Sequence, residues 1–421
     1  MQQESNAYKD LANLFHMAST ELKEMVPDQV MGMELLGNLF QQAGDAPEEG
    51  RKVAWIGFST PPEIFWAMDI VPIADTVFGG MLASDPEAAI KYLELSEEYI
   101  PGYICSTNRI PLAIALSGDV PLPDFYVVQN NPCDSLLSTN CVVADLVKRP
   151  FFGITSPYVT SERGLQYVAN DLKKLVAFLE GYTGEKLDLD KLREIMQHSN
   201  RAHQYLCQLN EMTKQVPCGF SMQEGALLYA LVTQLAGTAE LSDCLQKHYE
   251  RAQLRAPLKA AAGKERIRLV WPYLAAYNYG PLLAWLEEIF GAVSITYMLQ
   301  RMEVEPAEDL SDYDSIMLAL ARKSLNMPMT REVRGPWDTY LTSAIQMVKD
   351  YKADAAIFGG HIACKSNWAM AKLARDRIYE ELGIRTLILE IDVLDPRVIS
   401  PESLQDCLAE FVTIVQKEKA R

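Results

Sequence analysis

The chain has 421 residues, with 39 Lys and Arg against 56 Asp and Glu, and its formal charge of −17 argues against nucleic acid or an anionic membrane surface as a partner. Hydrophobic residues make up 49% and charged residues 23%, a globular composition that leaves no case for long disorder and, at this length, implies two or three compact units. No apolar run reaches the roughly 18 residues of a membrane span, and the start MQQESNAYKD lacks a basic segment followed by an apolar one, so a cytoplasmic location is expected.

From Ser5 to about Gln42, apolar residues recur at helical spacing, as in Leu11, Leu14, Phe15, Met17 and Leu22, which predicts an N-terminal helical segment over 1–50. The pattern then changes to a β-α-β unit: a buried strand at Lys52–Gly57, a loop at Phe58–Pro62, a helix at Glu63–Met68 and a strand at Ile70–Ile73. Two further strands, Phe125–Val128 and Phe151–Ile154, complete a first α/β domain over 51–160, expected to contain a parallel sheet. Residues 161–262 are helically patterned almost throughout, including Gly164–Leu179 and Leu189–Leu209, and predict a helical connector. Alternation returns in a second α/β domain over 263–421, with candidate strands at Ile267–Trp271, Val293–Tyr297, Ser315–Leu318, Ala355–Phe358 and Thr386–Glu390.

Eight cysteines in a chain of this length are too few and too scattered for a disulfide scaffold, so they read as core thiols or metal ligands. Open parallel sheets gather ligands in the loops beyond the carboxyl ends of their strands. Cys133 follows Phe125–Val128 and Cys364 follows Ala355–Phe358, which makes both loop cysteines at strand ends. Cys105 precedes the apolar helical run Ile110–Leu116, where the positive end of a helix favours a thiolate. Cys207, Cys244 and Cys407 fall inside helical patterns and read as small buried residues, while Cys141 and Cys218 read as packing residues or substitute ligands. Without a Cys-x-x-Cys pair, this spacing permits a metal centre but does not require one.

Several segments, in order, resemble the signature blocks of the 2-hydroxyacyl-CoA dehydratase and benzoyl-CoA reductase subunit family. They are Gly57–Ala67 (GFSTPPEIFWA), Ile104–Arg109 (ICSTNR), Pro123–Asp124 through Asn131–Asp134 (NPCD), Gly360–Lys365 (GHIACK) and Leu389–Arg397 (LEIDVLDPR). The resemblance implies two Rossmann-like or flavodoxin-like parallel-sheet domains in one subunit of a heterodimer or heterotetramer of related iron–sulfur subunits. It also implies a four-iron, four-sulfur cluster held by Cys105, Cys133 and Cys364, with one iron left open for chemistry.

The reaction so implied is radical removal of water from an (R)-2-hydroxyacyl-CoA, through a ketyl formed when a separate ATP-dependent iron–sulfur activator injects one electron. The chain itself has no Gly-x4-Gly-Lys-Ser/Thr loop, in keeping with ATP being handled by that partner. By the same resemblance Ser59, Thr60 and Glu63 face the substrate, with Ser59 and Glu63 as candidate catalytic groups; His361, three residues before Cys364, is a further candidate, placed to donate to a cluster sulfur or the substrate. Their plain alternatives are an N-cap for Ser59 or Thr60, a first-turn carboxylate for Glu63 and a structural hydrogen bond for His361. Arg109 and Lys365 flank ligand positions and would balance charge there, or else are solvated surface residues. The Pro-Cys-Asp form at Cys133 is closer to the family's smaller subunits and some reductase subunits than to the Asn-x-Cys-Asn form of substrate-binding ones. Other readings are a benzoyl-CoA reductase subunit, a double-cubane reductase, an electron-relay subunit that binds no substrate, and a metal-free α/β binding protein.

Overall fold

The computed structural model describes residues 6–421 except 22, 25–26, 221, 263–264 and 277–281. Ser5, Leu22 and Gly263, the expected first residue of the second α/β domain, therefore lie outside the described residues. Among the described residues the strands are β1 Lys52–Ile56, β2 Ile70–Ala74, β3 Phe125–Gln129, β4 Phe151–Ile154, β5 Ile267–Trp271, β6 Ala292–Tyr297, β7 Ala355–His361 and β8 Thr386–Ile391. They form two four-stranded parallel sheets, ordered β2-β1-β3-β4 and β6-β5-β7-β8. Both sheets are covered on two faces, which is why the central strands are near-continuous apolar runs: every residue of β3, β5 and β7 is buried.

The chain opens with the antiparallel helices Ala7–Glu21 and Pro27–Asp45, which pack on the first sheet through Tyr8, Leu39 and Phe40. Only one side of the first helix is covered, so Leu14 and Met17 are exposed despite their helical spacing. Residues 162–262 form four long helices: Glu162–Thr183, Leu189–Thr213, Met222–Leu235 and Ala239–Ala262. The first is capped by Ser161, whose hydroxyl accepts from the Gly164 amide, and buries Leu165, Val168, Leu172, Leu175 and Leu179 along one face. These side chains close the far face of the first sheet against Ile56, Val127 and Ile154. Each such buried aliphatic contributes on the order of 1.5–3 kcal/mol.

One expected strand is corrected. Ser315–Leu318 lies within the helix Tyr313–Asn326, whose start is capped by Asp312 accepting from the Ser315 amide. Ile316, Met317, Leu320, Ala321 and Leu325 recur with helical period and are buried, and the longer period overrides a four-residue apolar run. This helix packs on the first sheet, alongside Glu162–Thr183 and Leu189–Thr213, although its sequence lies among the strands of the second sheet. β7 is also longer than expected, continuing through Gly359 and Gly360 to His361. Among the described residues no helix is long and apolar enough to cross a membrane.

Candidate functional site

The strand order reverses between β1 and β3 in the first sheet and between β5 and β7 in the second, and at such switch points the loops leaving neighbouring strands diverge and open a crevice. Cys133 is the first residue before the helix Asp134–Leu146, which leaves β3; Cys364 stands at the same point before Lys365–Leu382, which leaves β7. Cys105 occupies the corresponding capping position of the helix Ser106–Ser117. All three are thus helix N-caps with no side-chain cap of their own, and each sulfur sits where free amides favour negative charge.

The three cysteines lie near enough for the charges of Cys105 and Cys364 to act on Cys133. Burial pushes the Cys133 thiol up to about 11, helped by the charges of Cys105 and Cys364 and opposed by a contact with the Ser135 hydroxyl at 3.3 Å. Burial likewise raises the Cys105 thiol, whose sulfur lies 2.9 Å from Thr107 Oγ1. Asn108 donates to Ser135 Oγ at 2.6 Å and so ties the Cys105 and Cys133 segments to each other. Asn367 reaches the Cys364 sulfur at 3.7 Å. Tyr273 is fully buried, and its hydroxyl pKa is pushed well above the usual value by burial and then by Cys364.

His361 is buried with Nε2 3.1 Å from Cys105 Sγ, while Nδ1 lies 3.3 Å from Asp392 Oδ2 without linear hydrogen-bond geometry. Asp392 accepts from Ser106 Oγ at 2.5 Å and from the amides of Leu394 and Asp395 at 2.9 Å each. Asp392 and Tyr273 were not singled out from sequence. Asp392 lies in the Leu389–Arg397 block, so a signal was present there, whereas nothing local marks Tyr273.

Ser59, Thr60 and Glu63 are all buried, but in a closed network. The helix Glu63–Ala67 is preceded by Pro62, with no side-chain cap, which corrects the N-cap reading of Ser59 and Thr60: Ser59 donates instead to Gln129 Oε1 at 3.2 Å. Ser324 donates to the same oxygen at 2.6 Å and to the Ser59 carbonyl at 2.8 Å. Glu63 pairs with Lys323 and accepts from Ser199 Oγ at 2.5 Å; His203, beside Lys323, is held neutral by burial. Ser59, Thr60, Lys323 and Ser324 line a cavity of about 10 Å³, room for one water. Lys323, Ser199 and His203 come from helices far along the chain and carry no local signature.

Arg109 is not a solvated residue: it is buried and bonds Glu97 at 3.0 Å, whereas Lys365 is exposed. Cys244 is a buried core residue as expected, but Cys207 is half-buried and Cys407 exposed, because each lies toward the outer side of its helix.

Among the described residues no three His, Cys, Asp or Glu side chains converge tightly enough for a single metal ion. The donor set here is three thiols at three helix N-termini, a chemistry suited to a cluster with several metal positions.

Comparison with known proteins follows the same lines. The chain is 23% identical to the (R)-phenyllactyl-CoA dehydratase alpha subunit of Clostridium sporogenes, over 85% of this chain and 88% of the relative. It is 22% identical to the lactoyl-CoA dehydratase subunit alpha of Anaerotignum propionicum (91% and 95% covered) and 22% identical to the (R)-2-hydroxyisocaproyl-CoA dehydratase alpha subunit of Clostridioides difficile (94% and 98%). Residues 58–414 match the family described as 2-hydroxyglutaryl-CoA dehydratase, D-component. With that match covering most of its length, the chain belongs to the 2-hydroxyglutaryl-CoA dehydratase D-component family.

Proposed function

We propose that this chain is a subunit of a 2-hydroxyacyl-CoA dehydratase, a lyase removing water from a 2-hydroxyacyl-CoA, and that it works with a related second subunit and an ATP-dependent iron–sulfur activator. The reading is carried by Cys105, Cys133 and Cys364 at three helix N-termini, with His361 against Cys105. It is supported by the alpha subunits of such dehydratases to which the chain is similar over most of their length. In this proposal the three thiolates hold a four-iron, four-sulfur cluster, which when bound supplies one-electron chemistry and an iron position with no protein ligand. The elimination is proposed to pass through a ketyl radical of the thioester.

The protein's own groups have defined tasks in this scheme. Helix N-terminal amides stabilise the three thiolates, and Asp392 and Tyr273 enclose them. Ser59 and Thr60 line the small cavity beside Lys323, where in this scheme a substrate hydroxyl would be oriented. Glu63 lies behind them and balances the Lys323 charge, so it acts as a positioning residue through that lysine. The cavity has room for a single water, so a substrate group enters it only when its walls move apart.

The test is anaerobic purification with iron and sulfide analysis and an absorption spectrum, for the wild type and for Cys105→Ala, Cys133→Ala and Cys364→Ala. About four irons per chain, lost in each variant, is the expected result. A colourless, iron-free wild type after reconstitution would overturn the ligand assignment.

A further inference from the structure

Arg334 sits where the two α/β domains meet. Its half-buried guanidinium donates to the Pro157 carbonyl at 3.2 Å, to Thr160 Oγ1 at 2.5 Å and to the Thr330 carbonyl at 3.4 Å, all neutral partners. Burial lowers its pKa and no acid opposes this. Arg163, in the first turn of the helix Glu162–Thr183, is exposed, and among the described residues neither arginine pairs with a carboxylate. Glu162 and Asp338, next in sequence to Arg163 and Trp337, are exposed and bridge to neither. In a chain carrying −17, where most buried or half-buried cations have acid partners, Arg334 stands out among the described residues as a half-buried cation held only by neutral groups.

The same rim exposes large apolar side chains. Tyr158 is 62% exposed, Val159 54% and Trp337 60%. They adjoin one another: a Cβ on Gly335 would come within 2.7 Å of the Tyr158 carbonyl, so the chain before Trp337 runs directly over the chain at Tyr158. The Tyr158 loop leaves β4, next to β3, and its Ser156 amide donates to Asn130 at 2.8 Å, three residues before Cys133. The rim therefore shares the carboxyl edge of the first sheet with the cysteine face.

We propose that Arg334, Arg163, Tyr158 and Trp337 bind the phosphorylated nucleotide end of a coenzyme A thioester, an assignment that rests on the acyl-CoA reading above. Guanidinium groups take the phosphates and an exposed aromatic ring takes a purine face. The flexible arm of the coenzyme then runs from the rim toward the cysteines, so that the thioester reaches the reacting face while the nucleotide stays at the surface. This arrangement lets a strongly acidic protein hold a polyanionic substrate through one local site.

The experiment is calorimetric titration of the purified protein, with its partner subunit, with coenzyme A, 3′,5′-ADP, AMP and inorganic phosphate. The expected result is that 3′,5′-ADP binds and competes with coenzyme A, and that Arg334→Ala and Arg163→Ala weaken both by about tenfold or more. Trp337→Ala should weaken both by roughly fivefold or more. Among the described residues the Arg163 and Trp337 side chains make no hydrogen bond or ion pair, so they report on the site even if loss of Arg334 disturbs the domain contact. Unchanged affinity in Arg163→Ala and Trp337→Ala would overturn the site, as would inorganic phosphate displacing coenzyme A as well as 3′,5′-ADP does. Turnover of a 2-hydroxyacyl-CoA with KM unchanged in those variants would remove the site and leave the dehydratase reading intact. Binding of 3′,5′-ADP that depends on Arg163 and Trp337, without turnover of any thioester, would keep the site and remove the dehydratase reading.

Discussion

Asp75 is fully buried at the end of β2 with no cation beside it among the described residues. Burial pushes its carboxyl up to about 6, although Asn140 donates to it at 2.8 Å and the Thr76 amide at 2.6 Å. A carboxyl whose folded pKa lies above its unfolded value of 3.8 binds a proton in the native state first, so stability from this group is complete below pH 4 and is lost as pH rises through about 6. The loss amounts to roughly 3 kcal/mol. Asp75→Asn removes this dependence, so denaturation at a series of pH values should show the variant gaining on the wild type between pH 4 and 6 and holding a constant offset above. A difference that does not change with pH would mean the carboxyl titrates normally. At this scale the sequence was informative where chemistry is local. The three cysteines stand out by type and by the loops they occupy. Lys323 and Ser199 could not be read, because a buried ion pair is defined by its partner, and Glu63 meets these two across 260 and 136 positions.

Among the elements, β7 and the helix Lys365–Leu382 together set the position of His361 and Cys364. Their packing depends on two glycines: a Cβ on Gly359 would overlap the Leu274 carbonyl, and one on Gly360 would overlap the Trp368 ring. Trp368 lies on the helix that Cys364 caps, so relieving the second overlap displaces the cysteine itself. Gly359→Ala and Gly360→Ala should each cost about 1–3 kcal/mol, seen as a lower melting temperature, and should lower iron retention if the cluster is present. Gly181, in the helix Glu162–Thr183, has nothing within 4 Å of its would-be Cβ, and Gly181→Ala should raise stability by up to about 1 kcal/mol. Loss of stability at Gly181 comparable to that at Gly360 would contradict the steric account. Most strands were legible because parallel strands buried on both faces give unbroken apolar runs between loops, as Phe125–Val128 and Ile267–Trp271 do. Ser315–Leu318 gives such a run too, but as one turn of an amphipathic helix, and only the burial of Ile316, Met317, Leu320 and Ala321 along one side distinguishes the two.

In the whole molecule the two sheets share one strand order, and Cys133 and Cys364 follow the third strand of each. Cys105 has no counterpart, because the connection between β6 and β7 contains no cysteine. Two thiols therefore come from the first domain and one from the second, and the candidate site exists only while the domains keep their relative position. Asp392 is one of the groups that tie them beside the cysteines: it belongs to the segment after β8, yet accepts from Ser106, the residue after Cys105, and faces His361, which faces Cys105. Its carboxylate is buried, so Asp392→Ala strands the Ser106 hydroxyl and the amides of Leu394 and Asp395, at a cost of about 1–3 kcal/mol for each group left without a partner. Ser106→Ala removes only the bond between domains. In a double-mutant cycle measured by chemical denaturation, the two substitutions should be coupled by about 0.5–3 kcal/mol. Additive effects would show that Asp392 supports only its own loop, and the pairing of Cys105 with the second domain would then rest on its contact with His361 and the surrounding packing.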